Sequence, residues 1–341
     1  YPTNDLVTAP EILFFWVARM IMAGIEYRNE VPFKNVYLTG IVRDKLGRKM
    51  SKSLGNSPDP IELMKKYGAD GVRVGMLLTS PAGNDLPFDE VLCEQGRNFS
   101  NKIWNALRLI KNWKVDHSIS QPNYAKISVG WFGARLNQTT EKLEDHYSKY
   151  RISDALMLVY KLIWDDYCSW FLEMIKPDYG QPVDRKTYES AVDYFEKLMQ
   201  ILHPFMPFIT EEIWHQLKDR KDGESIMISL ASIPTTYDNG ILECFDFARD
   251  VVIAIRNIRK EKNIPNKDKL QLKVKINEEK GSDKRFDPVI QRLCNLESVA
   301  YINEKEEGAL SFLVKSNEYY IPADGSLNVE EELEKLHYEL E

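Results

Sequence analysis

Cysteine is scarce, and the four present (Cys93, Cys168, Cys244 and Cys294) form no CxxC pair and stand near no histidine. That spacing argues against a zinc site or a disulfide framework and fits buried structural thiols in a reducing, cytoplasmic setting. The five histidines, at 117, 146, 203, 215 and 337, form no ligand cluster either, so no protein-bound metal is expected. Long apolar runs are missing. The longest, Ile12 to Ile25, carries Arg19 and falls short of the roughly 18 residues that suggest a membrane span, so no membrane partner is expected. The opening Tyr1-Pro2-Thr3-Asn4 has no basic stretch, so no signal peptide is expected, and the absence of an initial Met suggests a piece of something longer. Positive net charge is also absent. The total of −7 counts mildly against a chain that is all nucleic-acid surface, although local patches set the field at a contact.

What is present is ample for burying cores: 341 residues, 43% hydrophobic, enough for two or three domains. Apolar residues at Ile12, Phe15, Trp16, Met20 and Ala23 have the 3–4 spacing of a helix with a buried stripe over 11–26, with Gly24 a plausible stop. Val36-Tyr37-Leu38 and Ile41-Val42 read as one short strand running into a loop. Asp59 and Pro60 mark the N-cap and first turn of a helix to Tyr67, and another spans 70–78. A turn-rich break follows from Pro81. Helices are expected over 89–113, 124–147, 151–175, 184–202 and 207–219, with most of Trp104, Trp113, Trp164, Trp170, Phe171, Phe195, Phe205, Phe208 and Trp214 in a bundle core. After Pro234 the texture changes to a small α/β unit. It has a basic helix at 241–262, a period-2 strand Leu270–Ile276, a helix at 287–295, and strands at 299–302, 310–314 and 319–321. Val329, Leu333, Leu336 and Leu340 suggest the first turns of a coiled coil.

The segment 43–53 is basic: Arg43, Lys45, Arg48, Lys49 and Lys52 against a lone Asp44. It is not a P-loop, because Gly40 and Gly47 are seven apart and Met50 follows Lys49. Two lysines three apart, with Ser51 and Ser53 beside them, could surround one polyphosphate and tighten as charge develops in phosphoryl or adenylyl transfer. Composition alone favours a solvated basic turn.

Lys49-Met50-Ser51-Lys52-Ser53 resembles the signature loop of class I aminoacyl-tRNA synthetases, and its surroundings extend the resemblance across the chain. Glu11-Ile-Leu-Phe-Phe-Trp-Val-Ala-Arg-Met20 stands ahead of it; Gly55-Asn56, Asp59-Pro60 and Tyr67-Gly-Ala-Asp-Gly-Val-Arg73 follow. Arg97-Asn-Phe-Ser-Asn-Lys-Ile-Trp-Asn105 and His203-Pro-Phe-Met-Pro-Phe-Ile-Thr-Glu-Glu-Ile-Trp214 come later. Together they are more similar to the valyl branch than to the isoleucyl, leucyl and methionyl ones; the isoleucyl branch and a noncatalytic tRNA-binding module are the alternatives.

The resemblance implies a mainly α fold with α/β parts. Its expected parts are the C-terminal piece of a Rossmann-type catalytic domain (1–87), a helical anticodon-binding bundle (88–232), a small α/β domain (233–328) and the start of a coiled-coil arm (329–341). It also implies that Lys49 and Lys52 grip ATP phosphates and stabilise the adenylation transition state, with Met50, Ser51 and Ser53 completing the loop. Glu11 takes the place of an acidic ribose contact, although Ala9-Pro10-Glu11 stands where the family has Gly-x-Asp. Gly40 would lie near the adenine, and Ile12 and Trp16 would flank the valine side chain. Lys102 would meet the anticodon region, or be a plain surface lysine. The implied partners are ATP with Mg2+, valine and tRNA(Val), the protein acting as a monomer. Asn98, Asn101 and Asn105 are expected to hydrogen-bond within the bundle, and Arg256, Arg259, Lys260 and Lys262 to form a solvated helix face or touch tRNA phosphates.

No histidine is followed by x-Gly-His, the family's second nucleotide motif. That motif, the early strands and an editing domain are expected to precede this segment. The chain alone is therefore expected not to activate valine.

Overall fold

The computed structural model describes residues 1–51, 53–78, 85–230, 233–275 and 284–322. In chain order the elements begin with β1 (Thr3–Thr8), a helix that starts tightly wound at Pro10–Ile12, widens to π geometry over Leu13–Val17 and becomes α1 (Ala18–Arg28), then β2 (Phe33–Leu38) and β3 (Val42–Arg43). There follow α2 (Pro60–Tyr67), α3 (Ala69–Leu78), β4 (Leu86–Pro87), α4 (Glu90–Lys111), β5 (Val115–Asp116), α5 (Asn123–Ser148) and α6 (Ile152–Lys161), which continues as a π segment (Leu162–Phe171) into α7 (Leu172–Ile175). The rest is β6 (Val183–Asp184), α8 (Arg185–Leu202), α9 (Pro207–Leu217), α10 (Asn239–Glu261), β7 (Leu270–Lys275), α11 (Asp287–Leu293), β8 (Leu296–Ile302), β9 (Ala309–Val314) and β10 (Asn317–Pro322). Among the described residues no helix is long and apolar enough to cross a membrane. The expected break from Pro81 falls largely, and the coiled coil at 329–341 wholly, outside the described residues.

The chain forms two compact units: Tyr1–Trp113 with Leu136–Ser169 and Glu189–Thr235, and Lys114–Arg135 with Trp170–Tyr188 and Thr236–Glu341. In the first, β1 and β2 pair in parallel from Thr3↔Phe33 to Thr8↔Leu38, with α1 as the crossover. β1 has no counterpart among the expected elements, and β2 and β3 are two strands where one is expected. In the structure β3 leaves β2 and pairs in parallel with β4, Val42 opposite Leu86. Gly24 does not stop α1. The helix runs on to Arg28 and ends at Asn29 in the left-handed region, φ 51°. Gly24 is instead a close-contact position, where a Cβ would stand 2.8 Å from the Glu30 carbonyl oxygen. The expected buried stripe does not form. Ile12 and Phe15 are exposed, and Val17 and Gly24 are the buried positions of the segment. The π turn breaks the 3–4 repeat on which that expectation rested.

Both α2 and α4 begin at aspartate N-caps, Asp59 accepting from Ile61 N and Asp89 from Val91 N. Helices α3 and α4 touch backbone to backbone. A Cβ on Gly75 would lie 2.7 Å from Cys93 N, and one on Gly96 would lie 2.6 Å from Gly71 O. Around them α3 packs on α2, α6 and α9. Phe99 meets Tyr160 at 4.6 Å, and Tyr167 stacks on Phe195 at 5.4 Å while its hydroxyl donates to Ala191 O. Phe171, Phe195, Phe205 and Trp214 are buried as expected, but Phe208 is 65% exposed. It sits in the first turn of α9, whose N–H groups are held from α3: Asp70 accepts from Phe208 N at 3.4 Å and Ile209 N at 2.8 Å. Asn98, Asn101 and Asn105 are exposed on α4 rather than bonded inside the bundle. Their spacing puts them on its outer side.

The second unit centres on Phe245 of α10, which meets Trp131 at 3.8 Å, Trp170 at 5.6 Å and Phe286 at 5.6 Å. Its sheet has the order β8-β7-β10-β9. Strands β7 and β8 are parallel across α11, and β10 runs antiparallel to both β7 and β9. The period-2 pattern of β7 is fulfilled, with Leu270, Leu272 and Val274 buried. Cys93, Cys168 and Cys294 are buried free thiols; Cys244 is only partly buried.

Candidate functional site

The loop after β3 is built on Asp44. Its backbone closes a tight turn, Asp44 N–H to Arg48 O at 2.9 Å and Gly47 N–H to Asp44 O at 2.9 Å, and Gly47 takes φ 76°, a value that favours glycine. The Asp44 carboxylate accepts from Leu46 N at 3.0 Å, Arg48 N at 2.8 Å, Arg48 Nε at 2.8 Å and Asn56 Nδ2 at 3.0 Å. The Asn56 bond above all, with the donors from Arg48 and Leu46, holds this carboxyl well below the usual carboxylate range. Asn56 then clips the far side of the loop. Its Oδ1 accepts from Ser51 N at 2.9 Å, and its Nδ2 reaches Lys49 O at 3.3 Å. Both peptides flanking Met50 are thereby fixed to Asp44 through one amide. Ser51 Oγ accepts from Leu54 N at 3.2 Å and lies 3.1 Å from Ser53 Oγ.

The root of the loop is fixed too. Asp85 receives Arg43 Nε and, at 3.3 Å, Ile41 N, while Phe88 N donates to Arg43 O at 2.8 Å. Asp89, the cap of α4, also lies 3.4 Å from Lys45 Nζ. So the loop hangs from the start of the first bundle helix.

Sequence-named residues converge here in part. Lys49 Nζ donates to Glu11 Oε2 at 2.8 Å, which brings the loop over the start of the first helical segment, one residue from Ile12. Ile12 and Trp16 are 42% and 36% exposed, and Trp16 Nε1 donates to Thr8 Oγ1 at 2.9 Å. Gly40 lines a separate cavity of about 310 Å³ with Val7, Thr39, Leu77 and Tyr150. Lys102 is half-buried on α4 with its ammonium 5.4 Å from the Trp164 ring centroid, a cation–π contact. Lys52 lies outside the described residues. Asp44 and Asn56, which carry no expected role in the sequence, shape the loop. A lone acid in a basic run was the available signal for the first; nothing local marks the second as its partner.

An exposed loop that carries lysine ammonium and paired serine hydroxyls beside an open apolar helix face can grip an anion and keep an apolar group nearby. Among known proteins, residues 1–89 match the family model described as tRNA synthetases class I (I, L, M and V), and residues 130–276 match the anticodon-binding domain of tRNA ligase. The valine–tRNA ligase of Christiangramia forsetii is 59% identical over 340 residues, covering 100% of this chain and 39% of the relative. That of Parabacteroides distasonis is 56% identical, with 38% of its length covered, and that of Fusobacterium nucleatum is 38% identical over 356 residues. The chain thus spans about two fifths of the length of these relatives. Its fold is similar to a solved ternary complex of Agrobacterium radiobacter K84 LeuRS with tRNA and LeuAMS, with a TM-score of 0.50 at 17% identity over 71% of this chain and 29% of that one. The chain thus matches the class I tRNA synthetase family model in its first segment, the anticodon-binding model in its middle, and valine–tRNA ligases along its full length.

Proposed function

We propose that the chain supplies the adenylation loop and the tRNA-binding bundle of an enzyme that joins valine to tRNA(Val). In the first step the valine carboxylate attacks the α-phosphorus of ATP, bound with Mg2+ as substrate. The bond to the β-phosphate breaks, and pyrophosphate leaves with the negative charge. In the second step a terminal hydroxyl of tRNA(Val) attacks the adenylate carbonyl and AMP leaves. Lys49 and Lys52 neutralise the charge that develops on the leaving phosphates, where fixed cations act most strongly. Glu11 faces the ribose, Gly40 the adenine, and Ile12 and Trp16 the valine side chain. Lys102 and the exposed Asn98, Asn101 and Asn105 of α4 form the face toward the anticodon region.

The observation that carries this reading is the Asp44–Asn56 clip, which fixes the peptides on both sides of Met50 while leaving Lys49 on an exchangeable partner. Both members of the Lys49–Glu11 pair are largely exposed. Such pairs are worth about 0–1 kcal/mol, so a polyphosphate can displace Glu11 at little cost. The functional division runs 1–87, 88–232 and 233–328, and the protein acts as a cytoplasmic monomer. The test is a graft: this chain replaces the matching 340-residue stretch of the Christiangramia forsetii relative. Valine-dependent ATP–pyrophosphate exchange is expected within about tenfold of the parent rate, which corresponds to a barrier change of roughly 1.4 kcal/mol. Exchange driven by isoleucine instead, or by neither amino acid in a folded graft, overturns the reading.

A further inference from the structure

The last turn of α10 ends in a cleft of about 760 Å³ whose lining includes Arg256, Arg259, Lys260 and three asparagines, and no acidic residue. Arg259 is its floor. Only 4% exposed, it donates to Pro265 O, Asp268 O and Cys294 O at 2.9 Å each and to Asn295 O at 3.3 Å, and its Nε has no partner. Carbonyl dipoles hold this buried charge, and the Asp268 carboxylate adds attraction. Arg256 and Lys260, one turn apart on the same helix face, are exposed at the rim. Among the described residues neither lies within ion-pair distance of a carboxylate; Arg256 instead sits 5.7 Å from the Trp170 ring centroid. Four other arginines of the same unit are paired: Arg135 and Arg249 with Asp246, Arg285 with Asp238, Arg292 with Asp178. Two rim cations without a counter-ion among the described residues, in a chain of net charge −7, leave an anion's place open. Ile264, Pro265 and Leu293 give the cleft an apolar wall beside the amides of Asn263, Asn266 and Asn295, a lining that suits a nucleotide better than an acidic peptide.

We infer that this cleft seats a phosphate and its nucleotide from the backbone of bound RNA, with Arg256 and Lys260 on the phosphate and the amides of Asn263 and Asn266 on the base edge, while Asn295 Nδ2, bonded to Asn266 O and Lys267 O, braces the wall. The inference rests on the tRNA reading above and adds a contact to it. The anticodon-binding family match, 130–276, takes in Arg256 to Asn266 and stops before 293–295, the cleft's other wall. If the two cations merely complemented the negative end of α10, they would stabilise the helix without touching RNA binding.

The experiment uses the full chain, a valine-acceptor tRNA transcript, AMP as the free-nucleotide probe, and the double variant Arg256→Gln/Lys260→Gln. Affinity for the transcript is expected to fall about 5- to 30-fold. The slope of log K against log salt should become shallower by about 1.4–1.8, the share of two phosphate contacts, with the unfolding midpoint unchanged. Hydrogen exchange of the unsubstituted chain reads the site without any substitution, and tRNA should protect the amides of 262–266 and 293–295. Equal affinity and slope in the double variant, or no protection of those amides, overturns the cleft proposal while leaving the tRNA reading standing. Protection by AMP but not by tRNA assigns the cleft to a free nucleotide and overturns the RNA source. If the unsubstituted chain fails to bind the transcript at all, both readings fall.

Discussion

Asp44 and Asn56 form the pair on which the loop depends. Asn56→Ala removes the shared amide and frees the peptides on both sides of Met50. In the grafted enzyme this is expected to lower kcat/KM for ATP by about 10- to 100-fold, the scale of a displacement near 1 Å at a reacting group. Lys49→Ala should reach about 10²- to 10³-fold, as loss of one charge-stabilising donor does. Glu11→Gln, which breaks the exposed ion pair but keeps a polar amide toward the ribose, should cost less than about fivefold. Steady-state exchange kinetics order the three, and an Asn56→Ala enzyme indistinguishable from the parent would remove the clip from the mechanism. The Asp44 carboxyl is held far below its ordinary value, so its contribution is present throughout neutral pH and is lost only in strong acid. No limb of the neutral pH–rate profile should belong to it.

At the level of elements, α3 is the joint. It meets α4 through Gly71, Gly75 and Gly96, and it reaches α9 through Asp70 and Arg73, whose guanidinium donates to Phe205 O and Pro204 O at 3.0 Å each. Gly75→Ala forces a methyl group against the Cys93 backbone. It should destabilise by about 1–3 kcal/mol in chemical denaturation, the usual range for overpacking. Asp70→Ala leaves the first turn of α9 without its acceptor, for about 1–2 kcal/mol. His203, 2.7 Å from Thr210 Oγ1, has its pKa lowered by burial, against the opposing pull of Glu211 and Asp70 and with a small push from Arg73. A lowered folded value means stability that is present above pH 6.5 and lost as pH falls through that value. The unfolding midpoint should therefore drop on acidification below about pH 6.5, and His203→Asn should flatten that limb. Burial raises the Asp70 carboxyl, so its contribution has the opposite sign and acts nearer the carboxylate range. These elements also show what a sequence can tell. Helices α2 and α4 were legible because caps and apolar spacing are local. β1 was not, since Thr3-Asn-Asp-Leu-Val-Thr8 is mostly polar and its partner strand begins at Phe33. The partners of Asp70 lie 138 and 139 residues away, and no local pattern announces them. In the same way the loop could be read from its five-residue motif, while the clip that shapes it could not.

For the whole molecule, the net charge of −7 sets the terms on which a polyanion can bind. Diffuse attraction is ruled out as the driving force, because the average field repels RNA. Binding must come from a few places where cations stand without carboxylates, and such binding releases counter-ions in proportion to the phosphates neutralised. Taking about three such phosphates, log K should fall against log salt with a slope near −2 to −3, so affinity drops roughly 20- to 50-fold between 50 and 200 mM salt. That is gentler than for a basic nucleic-acid binder with six to ten contacts, which loses about 10³–10⁵ over the same range. A filter-binding or fluorescence series with the valine-acceptor transcript decides the matter. A slope near zero would leave no phosphate contacts and remove tRNA as the partner. A slope as steep as a basic protein's would mean that local patches outweigh the net charge far more than the ion pairing in this chain allows. The intermediate slope is the signature of an acidic protein that meets RNA at a small number of built sites.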